Sequence, residues 1–220
     1  MAFISTVPVD AASAEVRRIY EENEANSGYV PNYVKLFSHR PQVFAAWGIL
    51  SGSVRGNLDL RHYELVTLAA ARALRSTYCM CAHSKVLLQN GFAPAQLAAV
   101  VEDFTNADLP PVEVAIMRFS EKVVRDATSI TADDVQTLRD HGLTDTEIFD
   151  VASAAAMRCF FSKLLDALGA EPDAAYLSLD ETLRNRLTVG RQISTEEVEH
   201  LMNEAAVISG HVDHNSIVLR

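Results

Sequence analysis

The 220-residue chain has few of the residues that interrupt or cross-link a fold. Nine glycines and seven prolines fall below the usual ~7% and ~5%. Three cysteines occur, Cys79, Cys81 and Cys159. That odd, low number excludes a disulfide framework and predicts a reducing compartment. Basic residues are the minority: 19 Lys+Arg against 29 Asp+Glu give a formal net charge of −10 and a pI of about 5.1. This balance argues against nucleic acid or an anionic membrane surface as partner. No apolar run approaches the ~20 residues of a membrane span, because Arg72 and Arg158 interrupt the best candidates. The opening MAFISTVPVD has no basic region and reaches Asp10 too early for a secretory signal. There is no Gly-rich phosphate loop, no Gly-x-Ser-x-Gly and no nucleotide fingerprint. The expectation is a soluble, cytoplasmic protein without a cofactor.

What remains is helix-forming material. Thirty alanines and 49% hydrophobic residues suit a folded, helical chain. Pro31 and Pro41 stand where first-turn prolines belong. Leu65, Leu68, Ala69 and Ala73 recur at helical spacing over 60–75. Ser76 or Thr77 is positioned to cap a helix running to Asn90, with Gly91 as its stop. Thr144 with Glu147 forms a capping box ahead of a long apolar helix that Gly169 can end. Ser194 with Glu197 forms another, ahead of an amphipathic helix from about Thr195 to Ser209. Period-2 alternation is missing, so strands should be scarce. The fold class is all-α.

One internal similarity organises the chain. NGFAPAQLAAV (90–100) matches HGLTDTEIFDV (141–151) at an offset of 51, and the same offset lays helix 61–75 onto 112–126. Two pseudo-repeated helical hairpins are therefore expected, at about 60–91 and 111–142. They would sit in one domain over 1–190, with N- and C-terminal helical arms and residues 191–220 as a C-terminal extension. At that offset Glu64 falls on Ala115, Cys79 on Ile130 and His83 on Asp134, so the second hairpin lacks whatever chemistry the first carries.

That chemistry lies in ELVTLAAARALRSTYCMCAHSKVLLQNG, residues 64–91. Cys79 falls in the first turn of its helix, where free N–H groups and the macrodipole lower a thiol's pKa. His83 is four residues on, sharing its face, and is a candidate base. At 1.5 Å per residue, an antiparallel hairpin leaves Glu64 about 7 Å from His83 along the axis, within reach of two side chains or one water. The expected relay runs Glu64 to His83 to Cys79, a carboxylate orienting a histidine that serves a thiol. Cys81 points to the opposite face, so a Cys79–Cys81 disulfide needs the first turn to unwind. Cys79, Cys81 and His83 on one helix cannot converge on a metal ion. Cys159, in AAAMRCFF, reads as buried core, and His200, His211 and His214 as a solvated tail.

This stretch resembles the alkylhydroperoxidase AhpD / carboxymuconolactone decarboxylase family. Its signature is a Glu, eleven residues, Cys-x-x-Cys, three residues and a His. Glu64, Cys79 and His83 keep the spacing, and Ser76 replaces the first cysteine. VPNYVKLFSHRP, VVRDATSITADDVQTLRDHGLTDTEIFDV and the DALGAEPD close extend the likeness to the peroxidase-related branch over about 3–190. The resemblance implies an AhpD-like helical bundle assembled as trimers or hexamers. It implies that Cys79 attacks a peroxide, that Glu64 and His83 activate it, and that Tyr78 can join the relay. The resolving cysteine's role is vacant at Ser76, which leaves Cys81 or an outside thiol reductant to restore Cys79. Three functions are compatible with these residues. The first is a thiol peroxidase acting on a small peroxide. The second is a decarboxylase-type lyase or isomerase using Glu64 and His83 on a small carboxylated substrate. The third is a non-catalytic assembly or sensor protein.

Overall fold

A computed structural model describes residues 2–195, and all its regular elements are helical. The order is α1 (Ala14–Ser27), α2 (Asn32–Phe37), α3 (Pro41–Arg55), α4 (Leu60–Leu74), α5 (Thr77–Gln89), α6 (Pro94–Asp103), α7 (Pro111–Asp126), α8 (Ala132–Asp140), α9 (Asp145–Ala167) and α10 (Glu181–Leu187). Among the described residues there is no strand and no helix long and apolar enough to cross a membrane. The chain is the all-α bundle expected, and its punctuation is local. Pro41 opens α3 in its first turn, Thr144 and Glu147 close a capping box on α9, and Gly91 and Gly142 take positive φ after α5 and α8. Of the helix expected from Thr195 to Ser209, only Thr195 falls within the described residues.

The pseudo-repeat is visible as two hairpins, α4–α5 and α7–α8, whose first helices pack against each other. α4 is the central element, covered by α7, α9 and α5. Its residues Tyr63 to Ala71 are buried without interruption, as expected of a helix enclosed on every side. Arg61 reinforces the packing by binding Glu113 of α7 with both ends of its guanidinium, Nε–Oε1 2.5 Å and Nη2–Oε2 2.9 Å. Glu64 is thereby carried into the interior, with 2% of its surface exposed.

A two-residue turn joins α4 to α5 and sets the register of the first hairpin. Arg75 adopts the left-handed conformation there (φ 57°, ψ 36°), which is costly for a side-chain-bearing residue. The stretch after α10 clamps that turn. Arg75 Nε donates to the Val189 carbonyl at 3.2 Å, and the Gly190 N–H donates to Thr77 Oγ1 at 2.8 Å. The approach is close enough that a Cβ on Gly190 would lie 2.2 Å from the Arg75 carbonyl oxygen. Gly190→Ala should therefore destabilise the fold by ~1–3 kcal/mol, the usual range for overpacking. A urea midpoint unchanged from wild type would show that the clamp contributes nothing.

Candidate functional site

A carboxylate as deeply buried as that of Glu64 requires a partner, because an unpaired buried charge costs several kcal/mol. His83 of α5 is that partner, with Nδ1 2.6 Å from Glu64 Oε2. The axial gap estimated from helix geometry is closed by the side chains in direct contact. On its other edge, His83 Nε2 lies 3.0 Å from Arg158 Nη1. A guanidinium has only donors, so Nε2 accepts from it, and the ring proton sits on Nδ1 facing Glu64. Burial holds the His83 pKa below the ordinary imidazole value. The Glu64 hydrogen bond opposes that shift, and the charges of Arg158 and Arg55 add to it. His83 is thus a neutral imidazole at pH 7, oriented by a carboxylate and held at its lone pair by a cation.

Arg158 reaches this position from the middle of α9. Its guanidinium packs over Trp47 at 4.9 Å and Phe161 at 5.2 Å, a stacking suited to a planar, weakly hydrated cation. Its buried Nε–H has no hydrogen-bond partner. Orphan donors of this kind mark sites where water or a ligand binds. A cleft of about 410 Å³ opens here, bounded by Arg55, Tyr63, Glu64, His83, Val86 and Arg158, with Gly48 and Gly52 on the α3 wall. Neither glycine has a heavy atom within 4 Å of where its Cβ would stand, so the small residues keep that wall open.

Cys79 occupies the first turn of α5 as expected, but it is 1% exposed and does not line this cleft. Its sulfur accepts a hydrogen bond from Ser162 Oγ of α9 at 3.1 Å. Among the described residues it makes no hydrogen bond to His83, so only the Glu64–His83 link of the expected relay is formed. Tyr78 is directed elsewhere. Its hydroxyl donates to Asp173 at 2.5 Å and accepts the Tyr33 N–H at 3.3 Å, anchoring the chain after α9. Burial, with Asp173 beside it, pushes the Tyr78 pKa well up.

Cys81 is fully buried, and burial, with Cys79 adding, pushes its pKa up to about 12. Ser76 precedes α5 in the capping position, but its fully buried Oγ makes no cap hydrogen bond and instead faces the Asp166 carboxyl, opposing the upward pKa shift that burial imposes there. Cys159 is half-buried rather than enclosed in the core. No group of three or more His, Cys, Asp or Glu among the described residues is arranged to hold a metal ion.

Arg158 and Ser162, which contact the candidate residues His83 and Cys79, lie outside the local motif. The one available signal is Arg158 itself, a charge inside the apolar AAAMRCFF stretch. It reads there as an interruption of a membrane-length run, whereas its partner His83 is 75 residues away in sequence.

Two measurements test this arrangement. With iodoacetamide at pH 7–8, Cys159 should be modified in the native protein and Cys81 only after unfolding, since the thiolate is the reactive form. Native modification of Cys81 at the rate of Cys159 would contradict its burial. Arg158→Met removes a cation that disfavours imidazolium, so the His83 pKa should rise, as read from the imidazole proton shift in an NMR titration. A fall or no change would mean that Arg158 does not act on the ring.

A comparison with curated proteins by sequence gives no match. Residues 41–121, from the start of α3 into α7, match the carboxymuconolactone decarboxylase family. Among solved structures the chain is similar to the alkylhydroperoxidase AhpD core of a peroxidase-related protein from Ralstonia eutropha. The identity is 25% and the TM-score 0.73, over 80% of this chain and 94% of that one. It is also similar to a peroxidase-related protein from Silicibacter, with 21% identity, TM-score 0.69 and coverage of 80% and 91%. A cysteine-to-alanine variant of the debrominase Bmp8, bound to 2,3,4-tribromopyrrole, shares the fold at 15% identity and TM-score 0.64, over 85% and 98% of the chains. The matched segment contains Glu64, Cys79 and His83. The chain thus has the AhpD-like helical fold, and its segment 41–121 is similar to the carboxymuconolactone decarboxylase family.

Proposed function

We propose that the protein is a cofactor-free thiol oxidoreductase that reduces small hydroperoxides, with Cys79 as nucleophile and the Glu64–His83 pair as proton carrier. The observation that carries this reading is the 2.6 Å Glu64–His83 hydrogen bond, one helical turn from a thiol whose sulfur accepts a hydrogen bond from Ser162. The Ser162 hydroxyl and the free amides at the start of α5 face the charge that develops on sulfur once the thiol proton is taken. The likeness to the peroxidase-related protein from Ralstonia eutropha supports the same class.

The chemistry requires the Cys79 thiol to leave Ser162 and meet His83, four residues on along the same helix face. A peroxide oxygen that takes over the Arg158 hydrogen bond frees His83 Nε2 to accept the thiol proton. Glu64 stabilises the imidazolium so formed. The Cys79 sulfur then attacks the terminal peroxide oxygen and the O–O bond breaks. The leaving alkoxide takes the proton from His83, so that one thiol and one hydroperoxide give Cys79 sulfenic acid and an alcohol. Cys81 is unsuited to resolve the sulfenate, being buried with its pKa near 12, and Ser76 has no sulfur. Two equivalents of a small-molecule thiol complete the cycle. The first forms a mixed disulfide with loss of water, and the second releases Cys79 as thiol.

A second reading rests on the lining of the cleft, which includes Glu64, His83, Arg55 and Arg158 but not Cys79. These groups suit a decarboxylase-type lyase or isomerase, in which the guanidinium groups bind a substrate carboxylate and the Glu64–His83 pair moves a proton. The debrominase among the structural neighbours is an example of a different activity on the same fold. For either reading we infer a homo-oligomer, a trimer or hexamer. α3 and α9 carry Ile49 and Phe149 at 73% and 69% exposure, and Leu50 and Phe160 on the same two helices are also exposed, apolar surface of the kind that marks subunit contacts.

Sulfenate trapping with dimedone after tert-butyl hydroperoxide separates the two readings. Peroxidase action predicts an adduct at Cys79, none in Cys79→Ser, and formation slowed by ~10²–10⁴ in Glu64→Gln, the usual contribution of a general acid–base pair. An unmodified, still titratable Cys79 thiol after peroxide treatment would sink it. Retained turnover of a lactone carboxylate by Cys79→Ala would establish the lyase instead.

A further inference from the structure

The second hairpin has a cleft of its own. α7, α8 and the 104–110 segment border a space of about 570 Å³, within the ~300–1,000 Å³ of small-molecule sites. The offset of 51 that relates the hairpins carries Tyr63, Glu64, His83 and Val86 onto Val114, Ala115, Asp134 and Thr137. The first four border the cleft beside Arg158, and their four counterparts border the second cleft. The repeat thus duplicates the cavity as well as the helices.

The chemistry at the duplicated positions is different. Ala115 replaces the buried carboxylate of Glu64, and Asp134 replaces the imidazole of His83. Asp134 is already neutralised by Lys122 Nζ at 2.6 Å and by its own capping box with Thr131, contacts that hold its carboxyl down at about 2. No proton-transfer pair survives. Arg118, in contrast, lines the cleft with an exposed guanidinium that makes no ion pair or hydrogen bond among the described residues. Lys122 stands one turn further along α7 with donors left over after Asp134, and His141 is on the same rim. Beneath these groups lie Leu109, Phe119 and Leu138. On a chain of net charge −10, a concave apolar floor edged by two cations and one already paired acid concentrates anions locally.

We propose that this second cleft is a non-catalytic binding site for a small organic anion, an apolar body such as one aromatic ring bearing a single carboxylate. Arg118 and Lys122 bind the carboxylate, and the Leu109–Phe119–Leu138 floor takes the ring. The pairing of Asp134 with Lys122 removes the repulsion that an unpaired acid at this position would impose.

The test is an amide NMR titration of the full-length protein with benzoate, using benzamide as the neutral probe of the same shape. The expected result is saturable shifts grouped over residues 105–141. Arg118→Gln and the change to benzamide should each weaken binding by at least ~10-fold, the lower end for loss of a charge-assisted hydrogen bond. The thermal midpoint of Arg118→Gln should match wild type, because the side chain is exposed and unpaired. Three outcomes each overturn the proposal. One is the absence of saturable shifts up to roughly 20 mM benzoate, a concentration at which even millimolar binding registers. Another is shifts centred on residues 48–86 and 158, which would assign the anion to the first cleft. The third is equal affinity for benzamide or for the Arg118→Gln protein.

Discussion

The hydrogen bond between Glu64 and His83 is the constraint around which the rest of the structure is arranged. Glu64 sits on a helix buried over nine consecutive residues, where a carboxylate without a partner would destabilise the bundle by several kcal/mol. Meeting that requirement fixes the spacing and register of α4 and α5. The register in turn depends on a short turn in which Arg75 is held in a left-handed conformation by the chain after α10. The same bond fixes the tautomer of His83, so that its lone pair faces Arg158 and the cleft. Structural necessity and chemical competence coincide in one contact.

The surroundings give the three sulfurs different fates. Cys79 lies in the first turn of α5 with a hydroxyl donor on its sulfur, while Cys81, two residues on, is enclosed and its pKa is pushed far above neutrality. Cys159 is partly open to solvent. Ser76 stands where the resemblance expects the first cysteine of a pair; it has no sulfur to fill that role, and its Oγ is buried beside the Asp166 carboxyl. The two hairpins diverge in a related way. The fold retains both cavities, but only the first has a carboxylate–imidazole pair; the second has cations and a neutralised acid in its place.

Much of the fold was legible in the chain because its signals are short-range. First-turn prolines, capping boxes at Thr144–Glu147, and glycines after α5 and α8 act within a few residues, and each lies where such a signal ends or begins a helix. Helical rise also brought Glu64 and His83 within reach of each other. Tyr78 shows the limit of such reasoning. Its neighbour in sequence is Cys79, yet its hydroxyl is claimed by Asp173, 95 residues further on.

The sequence by itself determined the all-α class, the two hairpins, and the pairing of Glu64 with His83, since all of these follow from helical periodicity over one or two turns and one tight connection. Only the tertiary structure decided what surrounds that pair. The docking of α9 over α4 and α3 brings Arg158 to the imidazole and Ser162 to the Cys79 sulfur. Those contacts join residues 75 and 83 positions apart, where no periodicity connects them and only the packing of the long helix against the central one specifies which side chains meet.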